Sequence, residues 1–189
     1  MKLKTIVDSI NTSMQATLNQ EKFQRGIYYG LAKVVLKEYD DDTKKAVPVI
    51  YTDGKEIECS INDDYSFNAY HRCISLSQVP NPTDFGDGDN SLKETANMIM
   101  VVWGDSERMG LCQEDLASIM SASFPSEMTV SDISKVLVRV NNINIDSFAL
   151  YSQEYKSTDY PLNPENYYFS IGYTVETTFE KSCVDKCCN

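Results

Sequence analysis

A single histidine, His71, sits between Tyr70 and Arg72 in this 189-residue sequence. Any Ser-His-Asp or Cys-His arrangement would have to use it as the base. It falls in the middle of a predicted strand, and no Gly-x-Ser-x-Gly elbow occurs anywhere, so it reads as structural. One histidine also excludes a histidine-rich metal site. Cys59, Cys73 and Cys112 stand alone in structured-looking segments and read as small buried hydrophobes. Cys183, Cys187 and Cys188 crowd the last seven residues. A metal site needs four well-placed ligands, typically as two close pairs, whereas this tail offers three thiols and no neighbouring histidine. It reads as a frayed terminus with free thiols.

The acidic loop from Val79 to Ser91 carries Asp84, Asp87 and Asp89 beside Phe85. Calcium takes six to eight oxygens, and an EF-hand loop places glycine sixth and glutamate twelfth. Counted from Asp87, those positions are Leu92 and Met98, so the motif fails; weak cation binding of another kind stays open. Asp84-Phe85-Gly86 matches the kinase magnesium triplet, but the other kinase signatures are missing. No Gly-x-x-x-x-Gly-Lys-Ser/Thr loop is present, and no Gly-x-Gly-x-x-Gly opens a helix, so nucleotide chemistry has no cradle. Glu114-Asp115 and Asp63-Asp64 are sequence neighbours, which rarely face one another as an acid–base pair does. The expectation is a chain with no catalytic residues, cofactor or metal, in which Asp84, Phe85, Asp87 and Asp89 form an acidic loop.

Charge narrows the partners. With 28 acidic and 17 basic residues the net charge is −11. Wrapping duplex DNA needs a basic stripe, which this sequence lacks. An acidic balance keeps a protein in solution, or forms a surface that DNA passes without sticking. Aromatics are not interleaved with Arg and Lys, as single-strand binding would need. No run of about 18 apolar residues exists to span a membrane. Met1 to Met14 includes Asp8 and several polar residues in place of a continuous apolar stretch, so a reducing, cytoplasmic setting is expected. The 12 tyrosines fit strand content, or places where a sheet meets another surface.

Periodicity supplies the elements that must hold these residues. Leu3, Ile6, Val7, Ile10, Met14 and Leu18 mark one face of an opening helix that ends before Gly26, with Lys4, Asp8, Asn11 and Gln15 outside. Ile27 to Tyr39 reads as a strand, and Asp40 to Lys45 as a charged loop. Ala46 to Tyr51 is a short strand that Pro48 restricts to an edge or an end. Asp53-Gly54 predicts a hairpin into Lys55–Ser60. Phe67 to Val79 is extended, with Tyr70, Ile74 and Leu76 on one face. Met98 to Trp103 is apolar throughout, as in a strand buried on both sides. Leu111 to Phe124 has helical spacing stopped by Pro125, and Ser131 to Val140 leads into a strand. Ser147 to Tyr155 is a short helix capped by Asp146, and Tyr160 to Pro164 a rigid turn. Tyr167 to Phe179 keeps a period of two over seven pairs, as in a long half-buried strand.

This order predicts an α+β fold, a mixed or antiparallel sheet with helices packed on one side. The expected organisation is one domain over residues 1–182, with the long loop 79–91, and a Cys-rich tail at 183–189. The segment Tyr151-Ser-Gln-Glu-Tyr155, followed by Asn166-Tyr-Tyr-Phe-Ser-Ile-Gly-Tyr-Thr-Val-Glu-Thr-Thr-Phe179, resembles neck proteins of tailed bacteriophages. It is similar to tail-terminator-like and head–tail ring proteins such as those of crAss-like phages. The element order agrees: an opening helix, a hairpin, a central helix after a buried strand, and a long last strand. The resemblance implies a structural virion protein, made in the host cytoplasm and built into the phage neck or tail. It implies a homo-oligomeric ring, a hexamer or dodecamer, between neighbouring portal and tail ring proteins, through which double-stranded DNA passes without sequence-specific binding. In such a ring the loop with Asp84, Phe85, Asp87 and Asp89 would face a partner or the lumen. The alternative is a small cytoplasmic acidic module that recognises a basic partner through its acidic loop.

Overall fold

The structure is a computed structural model that describes residues 2–60, 62, 64–80, 91–130, 133–145, 148–159 and 166–180. In chain order its helices are α1 (Leu3–Thr17), α2 (Glu21–Gln24), α3 (Ser106–Met109), α4 (Gln113–Ala122) and α5 (Phe148–Glu154). Its strands are β1 (Ile27–Glu38), β2 (Lys44–Thr52), β3 (Lys55–Glu58), β4 (Phe67–Pro80), β5 (Ser91–Asp105), β6 (Glu127–Val130), β7 (Ile133–Asn144) and β8 (Asn166–Glu180). Together they make a mixed α+β fold around one sheet of order β3-β2-β1-β4-β5-β8-β7-β6. All neighbouring strands pair antiparallel except β1 and β4, which are parallel.

Helix α1 has no side-chain cap at its start, and packing supplies its stability. Ile6, Val7, Ile10 and Met14 lie on its buried stripe, as their spacing predicts. Asn11, expected outside, is buried as well, because it meets a polar partner inside the core. On the face that α1 and α4 cover, Met98, Met100 and Val102 of β5 pack with Phe169, Ile171, Tyr173 and Val175 of β8, and Leu116 and Met120 close the layer. Burial of each such side chain contributes roughly 1.5–3 kcal/mol.

Helix α5 takes the opposite face. Its Tyr151 and Tyr155 pack on Val101 and Trp103 of β5, Tyr168 of β8 and Tyr70 of β4. Two lysines pin this region to the β1–β2 ribbon: Lys45 Nζ donates to the Ser152 carbonyl at 2.6 Å, and Lys156 pairs with Asp41 at 2.7 Å. The α5 layer changes the reading of β8. The strand was expected to be half-buried, but Tyr168 and Ser170 on its second face are buried too. The tyrosines follow: Tyr70, Tyr151, Tyr155, Tyr167, Tyr168 and Tyr173 are all interior.

The Asp53-Gly54 hairpin forms as read, with φ of 50° and 73° at its two turn residues, the left-handed pair that matches strand twist. Pro48 lies at the end of the β2–β3 ladder. Cys59 N donates to the Pro48 carbonyl at 2.8 Å. A ladder pair would return a bond from the residue opposite, but proline has no N–H. Tyr155 Oη donates to the Cys59 carbonyl instead, at 2.6 Å.

Several boundaries differ from the sequence reading. Lys44 and Lys45 belong to β2, and the short β6 precedes β7. Val79 ends the extended segment as read, and Pro80 and Ser91, assigned to the long loop, are strand residues too, with pairing carried to Pro80↔Leu92. Ile74 and Leu76 do not share a buried face with Tyr70. A bulge between Cys73 and Ser75 breaks the alternation there, and both are exposed. Cys59 is buried as expected, whereas Cys73 and Cys112 are exposed. The Asp146 cap, the Tyr160–Pro164 turn and the 183–189 tail lie outside the described residues. No helix among the described residues is long and apolar enough to cross a membrane.

Candidate functional site

The ionisable groups with the chemistry to do work are found first in two sealed networks. Glu154, at the end of α5, is fully buried. Its carboxylate accepts from the phenols of Tyr70 and Tyr168, the latter at 2.5 Å, and pairs with the Arg72 guanidinium. Alternation along β4 places Tyr70 and Arg72 on one face, toward α5. Burial pushes the Glu154 carboxyl up, and Tyr168, Tyr70 and Arg72 offset only part of that rise. Burial also holds the Tyr70 and Tyr168 phenols well above their ordinary range, so both remain donors. The sequence reading missed Glu154. The available signal was a carboxylate set between Tyr151 and Tyr155 on the apolar side of a short helix.

His71 is the second network, on the other face of β4. Its Nε2 lies 2.8 Å from Asn11 Oδ1, and its Nδ1 lies 2.7 Å from Tyr173 Oη. An amide oxygen only accepts, so Nε2 carries the proton and Nδ1 accepts from the tyrosine. Burial pushes the imidazole pKa down to about 3. The ring packs edge-on to Tyr173 at 5.7 Å between centroids, with Phe124 against the same tyrosine. His71 is thus the structural residue that its place in the sequence indicated: neutral, bonded at both nitrogens and closed to solvent.

A cleft of about 570 Å³ opens between Glu21, Lys22, Arg25, Asp64, Ser66 and Arg108. Its basic groups are largely matched within its own walls. Arg25 pairs with Glu21, and Arg108 pairs with Asp105 at 3.4 Å while also reaching the Tyr65 carbonyl. Glu114 and Asp115 sit side by side, exposed, in the first turn of α4, where both carboxylates accept from the exposed Cys112 thiol. The loop residues Asp84, Phe85, Asp87 and Asp89 lie outside the described residues.

Among the described residues, the sheet margins are the feature that no strand or helix covers. Strand β1 pairs with β4 only from Ile27↔Asn68 to Ala32↔Arg72. Beyond that point β1 continues with β2 alone, and every residue of β4 from Cys73 to Val79 is exposed. At the other side, β6 covers β7 only as far as Leu137, with one more bond from Val138 N to the Ser126 carbonyl. Asn141 to Ile145 are exposed. Ile74 and Leu76 on the first margin, at 57% and 52% exposure, and Ile143 on the second, at 39%, are apolar side chains left in water. No protein-family model matches this sequence, and no curated protein matches it.

Proposed function

We propose that this chain is a structural subunit that assembles with copies of itself, as a ring protein in the neck or tail of a tailed bacteriophage. In that role it joins portal to tail and borders the passage through which DNA moves. The observation that carries this reading is the uncovered second half of β4. A seven-residue stretch of sheet edge with exposed apolar side chains is a template for another chain, and proteins normally shield such an edge. Two further features support it. The element order matches that of the ring proteins the sequence resembles: opening helix α1, hairpin β2–β3, buried β5, central helix α4 and long last strand β8. Glu154 and His71 are spent on holding α5 and α1 to the sheet, which suits a part selected for shape. A net charge of −11 suits a wall that DNA must pass freely.

Antibody labelling of purified particles, viewed by electron microscopy, tests the assignment. The label is expected at the neck or tail, at one axial height. Label absent from the particle, or turnover of a substrate that requires His71 or Glu154, overturns it.

A further inference from the structure

We propose that the open edge of β4, from Cys73 to Val79, pairs antiparallel with the open edge of β7, from Arg139 to Ile143, in the next copy of this chain. This rests on the self-assembly reading above and names the surfaces that perform it. The sheet then runs on from subunit to subunit through the β4-β5-β8-β7 block.

Strand direction permits this arrangement. The three pairings β4–β5, β5–β8 and β8–β7 are all antiparallel, so β4 and β7 point in opposite directions. Two copies set side by side in the same orientation therefore bring β7 of one antiparallel to β4 of the next. That contact joins two different surfaces, and repeated with a rotation it closes a ring.

The heights of the two open stretches also fit. Leu76 lies opposite Ala96, Ala96 opposite Val175, and Val175 opposite Val138. The middle of the β4 edge is thus level with Val138, while the middle of the β7 edge lies near Asn141. Pairing the two edges slips each copy by about three residues, roughly 10 Å at the rise of a strand. A closed sheet requires a stagger of this kind, because its strands tilt around the axis.

Charge makes self-contact tolerable here. Acidic residues number 28 in the chain, yet none occurs from Arg72 to Pro80 or from Lys135 to Ile145. Two copies of a strongly acidic protein can meet along these margins without setting carboxylate against carboxylate. Between Ser75 and Val79, and between Asn141 and Ile145, there is no charged residue of either sign. The inward charges that usually guard a free edge are absent from both stretches. A bulge sits on each strand, between Cys73 and Ser75 and between Val140 and Asn142, close to where the intramolecular partner strand ends.

Two measurements on the full-length protein test the pairing. In the first, Leu76→Lys and Ile143→Lys are made separately and the molar mass is followed by light scattering, with circular dichroism to confirm folding. In the second, Ser75→Cys and Asn142→Cys, which this register sets opposite one another, are combined in a chain whose Cys73, Cys112, Cys183, Cys187 and Cys188 are serine, then oxidised and run on a denaturing gel. The expected result is loss of the assembly in both lysine variants and a ladder of cross-linked species beyond the dimer. An assembly that survives both lysines and gives no ladder overturns the strand pairing and leaves the ring reading standing. An assembly that stops at a dimer, sensitive at Leu76 and indifferent at Ile143, shows β4 pairing with its own copy and overturns the head-to-tail contact. A chain that stays monomeric throughout overturns both.

Discussion

His71 and Asn11 meet at 2.8 Å inside the core, and that one bond ties the opening helix to the middle of the sheet. Helix α1 has no capping side chain, so its seat depends on apolar burial and on this polar contact. Removing the acceptor leaves a buried N–H without a partner. Asn11→Ala is expected to destabilise the fold by about 1–3 kcal/mol. Urea unfolding followed by the emission of Trp103, the single tryptophan and itself buried, gives the value directly.

The same histidine sets a pH dependence. Its native pKa of about 3 lies below its ordinary 6.5, so between those values the unfolded chain binds a proton that the native one refuses. The stabilising effect of a neutral His71 is complete above about pH 6.5 and declines as the pH falls toward 3. The slope from this group is at most about 1.4 kcal/mol per pH unit. Stability measured from pH 7 to pH 4 is expected to fall less steeply in His71→Gln than in the parent. Equal slopes would mean that His71 binds protons alike in the native and unfolded states.

Glu154 is held by three donors, and deleting it strands Arg72 and takes an acceptor from two phenols that still bond one another at 2.8 Å. Glu154→Ala is expected to cost about 3–5 kcal/mol, the range for breaking a buried ion pair. The double variant Arg72→Ala/Glu154→Ala should cost less than the sum of the two single changes, because the second truncation removes a group already left unpaired. Additive losses would show that Arg72 and Glu154 do not depend on one another.

Much of this architecture is legible in the sequence where a period is long and one-sided. The α1 stripe, the Asp53-Gly54 hairpin, the doubly buried Met98–Trp103 run and the period-two of Tyr167–Phe179 appear where the residues place them. The misreadings share a cause. Asn11 looks like a surface residue until His71, sixty positions away in sequence, supplies a partner. Ile74 and Leu76 look like a continuation of the Tyr70 face, but a bulge that depends on strand pairing intervenes. Tyr168 and Ser170 look solvent-facing until α5 folds back over them. Glu154 went unread because its partners, Tyr70, Arg72 and Tyr168, come together only through the order of β4, β5 and β8.

Tyr155 substitutes for the donor that Pro48 lacks. Tyr155→Phe leaves the Cys59 carbonyl without its bond and is expected to destabilise by about 1–3 kcal/mol. Pro48→Ala in the Tyr155→Phe background supplies a backbone N–H and should recover part of that loss. No recovery in thermal unfolding would show that the Cys59 carbonyl is solvated some other way.

Gly26 is fixed by contact. A Cβ there would fall 2.1 Å from the ring of Phe67, which is fully buried and stacked edge-on with Tyr28. The ring has no room to retreat, so Gly26→Ala is expected to cost about 1–3 kcal/mol from overpacking. A near-neutral change in the midpoint of chemical unfolding would contradict that placement.

Electron-microscope class averages of the purified full-length chain test self-assembly most directly. The account predicts closed rings of one fixed subunit number, with a continuous band of sheet running around them and β4 of each subunit beside β7 of the next. Images showing only single subunits, or open aggregates of irregular size, would contradict it.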